Sequence, residues 1–159
     1  MQLYIKQRIF SWTDSYDVYD ETGEARYEVK ADFLAFGHQI RVYDKRSGAE
    51  IGSIHEKLFT WFPRFEIVIN GCHQGSVQKE FTFLRPRYQV DYRGWDVEGD
   101  FMGWDYRVTA GSREVMRITK ELFNWSDTYV LHYDNPADEM PGLLLVLAID
   151  AANCSKNKN

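Results

Sequence analysis

The chain has 159 residues, 44% of them hydrophobic, which suits a single domain whose core is large enough to fold without disulfides or metals. A formal net charge of -5 and a sequence pI near 5.4 argue against a domain that works by neutralising phosphate backbones, so nucleic acid is not an expected partner. Cys72 and Cys154 are too few for a disulfide framework and stand in no metal-ligand spacing, which points to inert thiols in a reducing compartment.

Residues from Met1 to Lys6 alternate as a strand does, without the basic start and apolar run of a signal peptide, so a cytoplasmic location is expected. Further on, Val29, Ala31 and Phe33 alternate with Glu28, Lys30 and Asp32, and Tyr88, Val90 and Tyr92 with Gln89 and Asp91. These are half-buried strands. Turn signals at Glu21-Thr-Gly23, Asn70-Gly71, Arg93-Gly94 and Asp134-Asn-Pro136 suit hairpins rather than βαβ crossovers.

One pattern recurs three times with identical offsets. It runs Ile5, Ile9, Phe10, Trp12, Tyr16, Val18; then Ile54, Leu58, Phe59, Trp61, Phe65, Ile67; then Ile118, Leu122, Phe123, Trp125, Tyr129, Leu131. The second and third copies also share a lead-in, Gly37, Ile40 and Val42 against Gly103, Tyr106 and Val108. The chain therefore reads as a duplicated β-meander. Phe10, Trp12, Phe59, Trp61, Phe123 and Trp125 are assigned to packing in its core.

The segment after Pro141-Gly142, from Leu143 through Leu144, Leu145, Val146, Leu147 and Ile149 to Ala152, is apolar on every side and predicts a helix over about 142–152. At about 1.5 Å per residue, ten residues reach about 15 Å, half a bilayer core, so this helix does not span a membrane. It is expected inside a closed antiparallel barrel of about twelve strands, whose bore is wide enough to need filling. One domain over residues 1–152 and a disordered tail over 153–159 follow.

In this order, the F-x-W repeats, Gly94-Trp95-Asp-Val-Glu-Gly99-Asp-Phe101, Gly103-Trp-Asp-Tyr-Arg-Val108 and the closing Leu143-Leu-Leu-Val-Leu-Ala-Ile149-Asp150 resemble a bacterial LURP-one-related protein. That family belongs with the phospholipid scramblases in the Tubby C-terminal-like superfamily. The resemblance implies the same barrel threaded by a C-terminal helix. For activity it implies only that relatives meet phosphoinositides and membranes, and no phosphoinositide-binding motif carries over residue by residue.

Chemistry-bearing constellations are sparse. Asp96, Glu98 and Asp100 share a strand face but lack the Gly and Glu that an EF-hand loop requires, since Phe101 and Arg107 stand there, and they read as a solvated face. His38, His55, His73 and His132 show no metal-binding spacing, so neither a metal nor a cofactor is expected. No nucleophile motif or phosphate-cradling loop appears, which argues against an enzyme. The remaining lead is basic: Arg85 and Arg87, and likewise Lys6 and Arg8, are spaced to grip one phosphate or carboxylate. The expected role is a non-enzymatic barrel that binds a small anionic or lipid-like ligand, peripheral to a membrane, with a protein-interaction module, and after it an enzyme with an unrecognised site, as the alternatives. Metal analysis of untagged protein should find no stoichiometric ion; one tightly held zinc per chain would redirect attention to Cys72 and His73.

Overall fold

The three copies of the repeat are three hairpins of one register. Ile5 pairs with Val18, Ile54 with Ile67, and Ile118 with Leu131, so the first and last positions of each copy face each other across two antiparallel strands. All six side chains are fully buried. The structure is a computed structural model that describes residues 1–6, 15–34, 37–80, 82–83, 87–123 and 126–155.

Among these residues the strands run β1 (Gln2–Ile5), β2 (Ser15–Asp20), β3 (Ala25–Leu34), β4 (Gly37–Asp44), β5 (Glu50–Glu56) and β6 (Arg64–Ile69). They continue as β7 (Cys72–Glu80), β8 (Arg87–Tyr92), β9 (Asp96–Asp100), β10 (Asp105–Ala110), β11 (Arg113–Phe123) and β12 (Ser126–His132). A 3-10 turn at Pro136–Asp138 leads into helix α1 (Glu139–Cys154). The strands form one twelve-stranded antiparallel sheet in which each lies beside its sequence neighbours and β1 pairs with β12. β8 and β9 are its two edges and are not hydrogen-bonded to each other. The barrel is thus nearly rather than fully closed, and side chains fill the seam: Tyr88 of β8 meets Phe101 edge-on at 4.8 Å between ring centroids, and Phe101 packs on Tyr106.

The duplication is visible in the backbone. Ile40 pairs with Ile54 and Tyr106 with Ile118, and the register shifts just after Val42 in one half and just after Val108 in the other. Equivalent bulges bend equivalent strands.

Helix α1 breaks this symmetry, and two equivalent positions show how. Gly52 and Met116 pair with Val42 and Val108 respectively. On the β5–β7 wall, against which α1 lies, a Cβ at Gly52 would stand 2.7 Å from a Leu144 methyl carbon. Opposite, Met116 crosses the bore until its methyl would be 2.3 Å from a Cβ at Gly142. A missing side chain on one wall and a long one on the other seat the helix off-axis, at the close packing that interiors require. Leu143, Leu144, Leu145, Val146, Leu147 and Ile149 are all at most 1% exposed.

The helix begins three residues before the expected start, with Pro141 in its first turn, where a missing N–H costs nothing. Tertiary contacts fix that start: Glu139 accepts hydrogen bonds from the Tyr27 and Tyr133 hydroxyls and pairs with Arg26 at 2.8 Å, while Asp138 pairs with Arg113 at 2.7 Å. At the other end Asn153 and Cys154 are helical rather than part of a tail, Ser155 is buried, and residues 156–159 lie outside the described residues.

Burying six large apolar side chains contributes on the order of 10 to 20 kcal/mol gross, against a typical net stability of about 5 to 15. Removing residues after Pro141, or placing an unpaired charge in the bore with Leu145→Asp, should therefore abolish the cooperative melt. Gly52→Leu should cost about 1–3 kcal/mol by overpacking. A truncated chain that remains monomeric and melts cooperatively would contradict this role for α1.

Candidate functional site at one pole of the barrel

Because the sheet is a meander, every odd strand meets the next even strand at one end of the barrel, the upper pole, and every even strand meets the next odd one at the lower pole. The poles differ in chemistry. Lower connections are short and polar, such as Asn70-Gly71 and Gly111-Ser112, whose glycines take φ of 77° and 61°. The sequence between each odd strand and the next holds four of the five tryptophans (Trp12, Trp61, Trp104, Trp125), seven of the ten phenylalanines and none of the ten tyrosines.

Described parts of the upper connections are built to display some of these side chains. In the β5–β6 connection Lys57 donates its backbone N–H to Arg64 at 2.8 Å, and the Thr60 hydroxyl donates to the Phe62 carbonyl at 2.7 Å. Leu58 turns inward against Gly37, while Phe59, held at φ 63°, and Trp61 are 103% and 98% exposed. This corrects the assignment of Phe59 and Trp61 to the core: β5 ends at Glu56, so their i, i+2 spacing belongs to a loop and has no inward face. Phe10, Trp12, Trp125 and the Phe123 side chain lie outside the described residues. In the β9–β10 connection Asp100 accepts from the Gly103 N–H at 3.0 Å, which folds Phe101 and Trp104 inward, Trp104 onto Tyr129, and leaves Met102 exposed. Of seven large hydrophobic side chains exposed among the described residues, Phe59, Trp61, Phe62, Phe83, Met102 and Leu122 are at this pole, and only Met1 is not.

Charge follows the same polarity. The upper connections carry Lys6, Arg8, Lys57 and Arg85 against Asp14, whereas the lower ones carry Glu21, Glu24, Asp134 and Asp138 against Lys45, Arg46 and Arg93. Of the expected anion-binding residues, Arg8 and Arg85 lie outside the described residues. Lys6, just after β1, and Arg87, at the start of β8, are both exposed but belong to strands at least four apart either way round, so they do not form one site. Lys6 stacks 4.2 Å above the Tyr19 ring and lines a cleft of about 400 Å³ on the outer wall, where Lys45 already pairs with Asp17 at 3.1 Å.

Directly beneath the pole lies a group that the sequence reading passed over. Asp150 sits on the last turns of α1, 5% exposed, with Oδ2 lacking a hydrogen-bond partner, as does the buried Tyr106 hydroxyl. Burial pushes the Asp150 carboxyl up to about 7. Burial, and secondarily the Asp150 charge, raises the Tyr16, Tyr88 and Tyr106 hydroxyls well above the ordinary tyrosine range. Tyr88 donates to Asn153, one turn further along the helix. A single acidic residue inside an otherwise apolar helical run was the available signal.

Elsewhere the polar groups serve structure. Asp96, Glu98 and Asp100 are exposed, with Glu98 paired to Arg107 at 3.1 Å and Asp100 closing its turn. His38 bonds Glu56, and His73 pairs with Glu66 at 2.9 Å; among the described residues no group of three His, Cys, Asp or Glu side chains is placed to hold a metal. No helix among them is long and apolar enough to cross a membrane.

Residues 1–150 match the model of the LURP-one-related family. The chain belongs to that family. It is 28% identical over 150 residues to an uncharacterized Bacillus subtilis (strain 168) protein, YxjI, covering 94% of this chain and 92% of the relative. A segment of 109 residues is 31% identical to beta-agarase B of Vibrio sp. (strain JT0107), covering 62% of this chain but 11% of that enzyme. A solved Arabidopsis thaliana protein superposes with a TM-score of 0.64 at 17% identity, over 96% of this chain and 91% of that one, which shows a shared fold.

The buried acid makes a signed prediction. The folded chain keeps the Asp150 proton up to about pH 7, whereas the unfolded chain releases it near pH 4, so this group's stabilising contribution is complete below pH 4 and falls away as pH rises towards 7. Asp150→Asn should gain on the wild type across that window by up to about 4 kcal/mol and hold its lead above it. Parallel melting curves from pH 4 to 8 would show instead that the carboxyl is solvated.

Proposed function

We propose that this member of the LURP-one-related family is a non-enzymatic binding barrel that takes an anionic, lipid-like ligand and works at a membrane surface. Its bore is filled by α1, so binding falls to the outside of the barrel. The observation that carries the reading is the charge polarity: in a chain of net charge -5, the upper connections hold four basic residues against one acidic residue. Lys57 and Arg87 stand exposed at that pole, Lys57 3.5 Å from Glu66 and Arg87 opposite Glu80 across β7 and β8, while Lys6 lies against Tyr19 on the outer wall. Charge-assisted hydrogen bonds to phosphate oxygens are worth about 1.5–3 kcal/mol each, so two side chains spaced as Arg85 and Arg87 are in the sequence are enough for one headgroup.

Soluble headgroups test this without a bilayer. Glycerol phosphate or an inositol bisphosphate should raise the melting temperature, because a ligand that binds only the folded state stabilises it, while metal ions and nucleosides should not. Arg85→Ala with Arg87→Ala should weaken binding roughly a hundredfold and leave the ligand-free melt unchanged. If every anionic headgroup leaves the melt where it was, the anionic-ligand reading fails.

A further inference from the structure

We infer that the upper pole is a bilayer-docking tip: the barrel stands end-on against an anionic membrane and inserts Phe59, Trp61, Phe62, Phe83 and Met102 between headgroups. This deepens the proposed function and rests on it for the sign of the lipid charge. The apolar contribution has its own observation, the segregation of exposed large hydrophobic side chains to one end of the barrel. Scattered single apolar residues are ordinary on a protein surface, but a set confined to one pole marks an interaction site.

The kind of partner follows from geometry. These side chains come from three separate connections, β5–β6, β7–β8 and β9–β10, arranged along a rim roughly 20 to 25 Å across for a twelve-strand barrel. Phe59, Trp61 and Phe83, at 103%, 98% and 105% exposure, each stand in solvent. A protein partner would need a surface of matching shape, whereas a bilayer interface receives separate protrusions and favours tryptophan in particular at headgroup depth. Lys57, exposed beside Glu66, stands two residues before Phe59, so a cation would meet anionic headgroups where these aromatics enter. The lower pole has polar turns and a slight acidic excess, which leaves one orientation of approach. Buried hydroxyls and Asp150 lie behind the tips, so the docking residues belong to the connections and can be changed without touching the core.

Vesicles of phosphatidylcholine with and without phosphatidylglycerol provide the test, using lipids brominated along the acyl chain to quench tryptophan. The wild type should be retained on the anionic vesicles, with fluorescence quenched by bromines near the headgroup, and Trp61→Phe should lose most of that quenching. Phe59→Ser with Trp61→Ser should lower retention at least tenfold, since each aromatic side chain withdrawn from water counts for about tenfold or more. Its melt, and its shift with soluble headgroups, should stay as in the wild type. Equal retention of that variant would overturn the docking tip, as would absence of wild-type retention or a concentration-dependent dimer that hides Trp61 from quencher. Failure on vesicles with an intact headgroup shift removes this inference alone. Quenching on vesicles without any headgroup shift removes the anionic-ligand reading alone.

Discussion

The bore of the barrel is the constraint on which everything else depends. Twelve antiparallel strands enclose more space than their own inward side chains can fill, and an unfilled bore would forfeit contacts along every strand. Helix α1 fills it, at the cost of symmetry. The duplicated halves share register and bulges, yet place Gly52 on one wall and Met116 on the other, so a single helix is gripped by two different versions of one position. Its lower end is locked by Glu139 against two tyrosines and Arg26.

A filled bore determines where function can reside. A barrel that keeps a ligand inside needs room there, and here the interior is committed to Leu143–Ile149 and the side chains around them. What remains is the outside, and the outside is polarised by topology: a meander sends alternate connections to alternate ends, so two sets of loops can diverge while one core is conserved between the repeat units. One set became minimal polar turns. The other took most of the tryptophan and phenylalanine.

That division explains what the sequence made legible. Strand alternation, the lower turns and the apolar helix all follow local rules, and the triple repeat specifies a register that the pairs Ile5–Val18, Ile54–Ile67 and Ile118–Leu131 share. The fate of the F-x-W residues was illegible because their spacing mimics strand alternation. Where β11 runs on to Phe123, the same offsets that leave β5 at Glu56 still lie on a strand, so identical sequence periods hold different local structures. The helix start was missed by three residues because Glu139 is held there by side chains distant in sequence, and the open β8–β9 seam because closure depends on Tyr88 and Phe101 meeting across it. Asp150 was overlooked as one polar residue in an apolar run, although that isolation makes its burial consequential.

Amide hydrogen exchange, read with and without anionic vesicles, tests the account most directly, because it reports core and pole in one measurement. Amides of α1 should exchange only through global unfolding in both conditions. Vesicles should add protection within residues 57–63 and 101–104 and none at the lower turns around Gly71 and Gly111. Fast exchange in α1, or vesicle protection centred on the outer wall of β2 and β3 instead of the upper connections, would contradict a barrel filled by its helix and docked by its aromatic end.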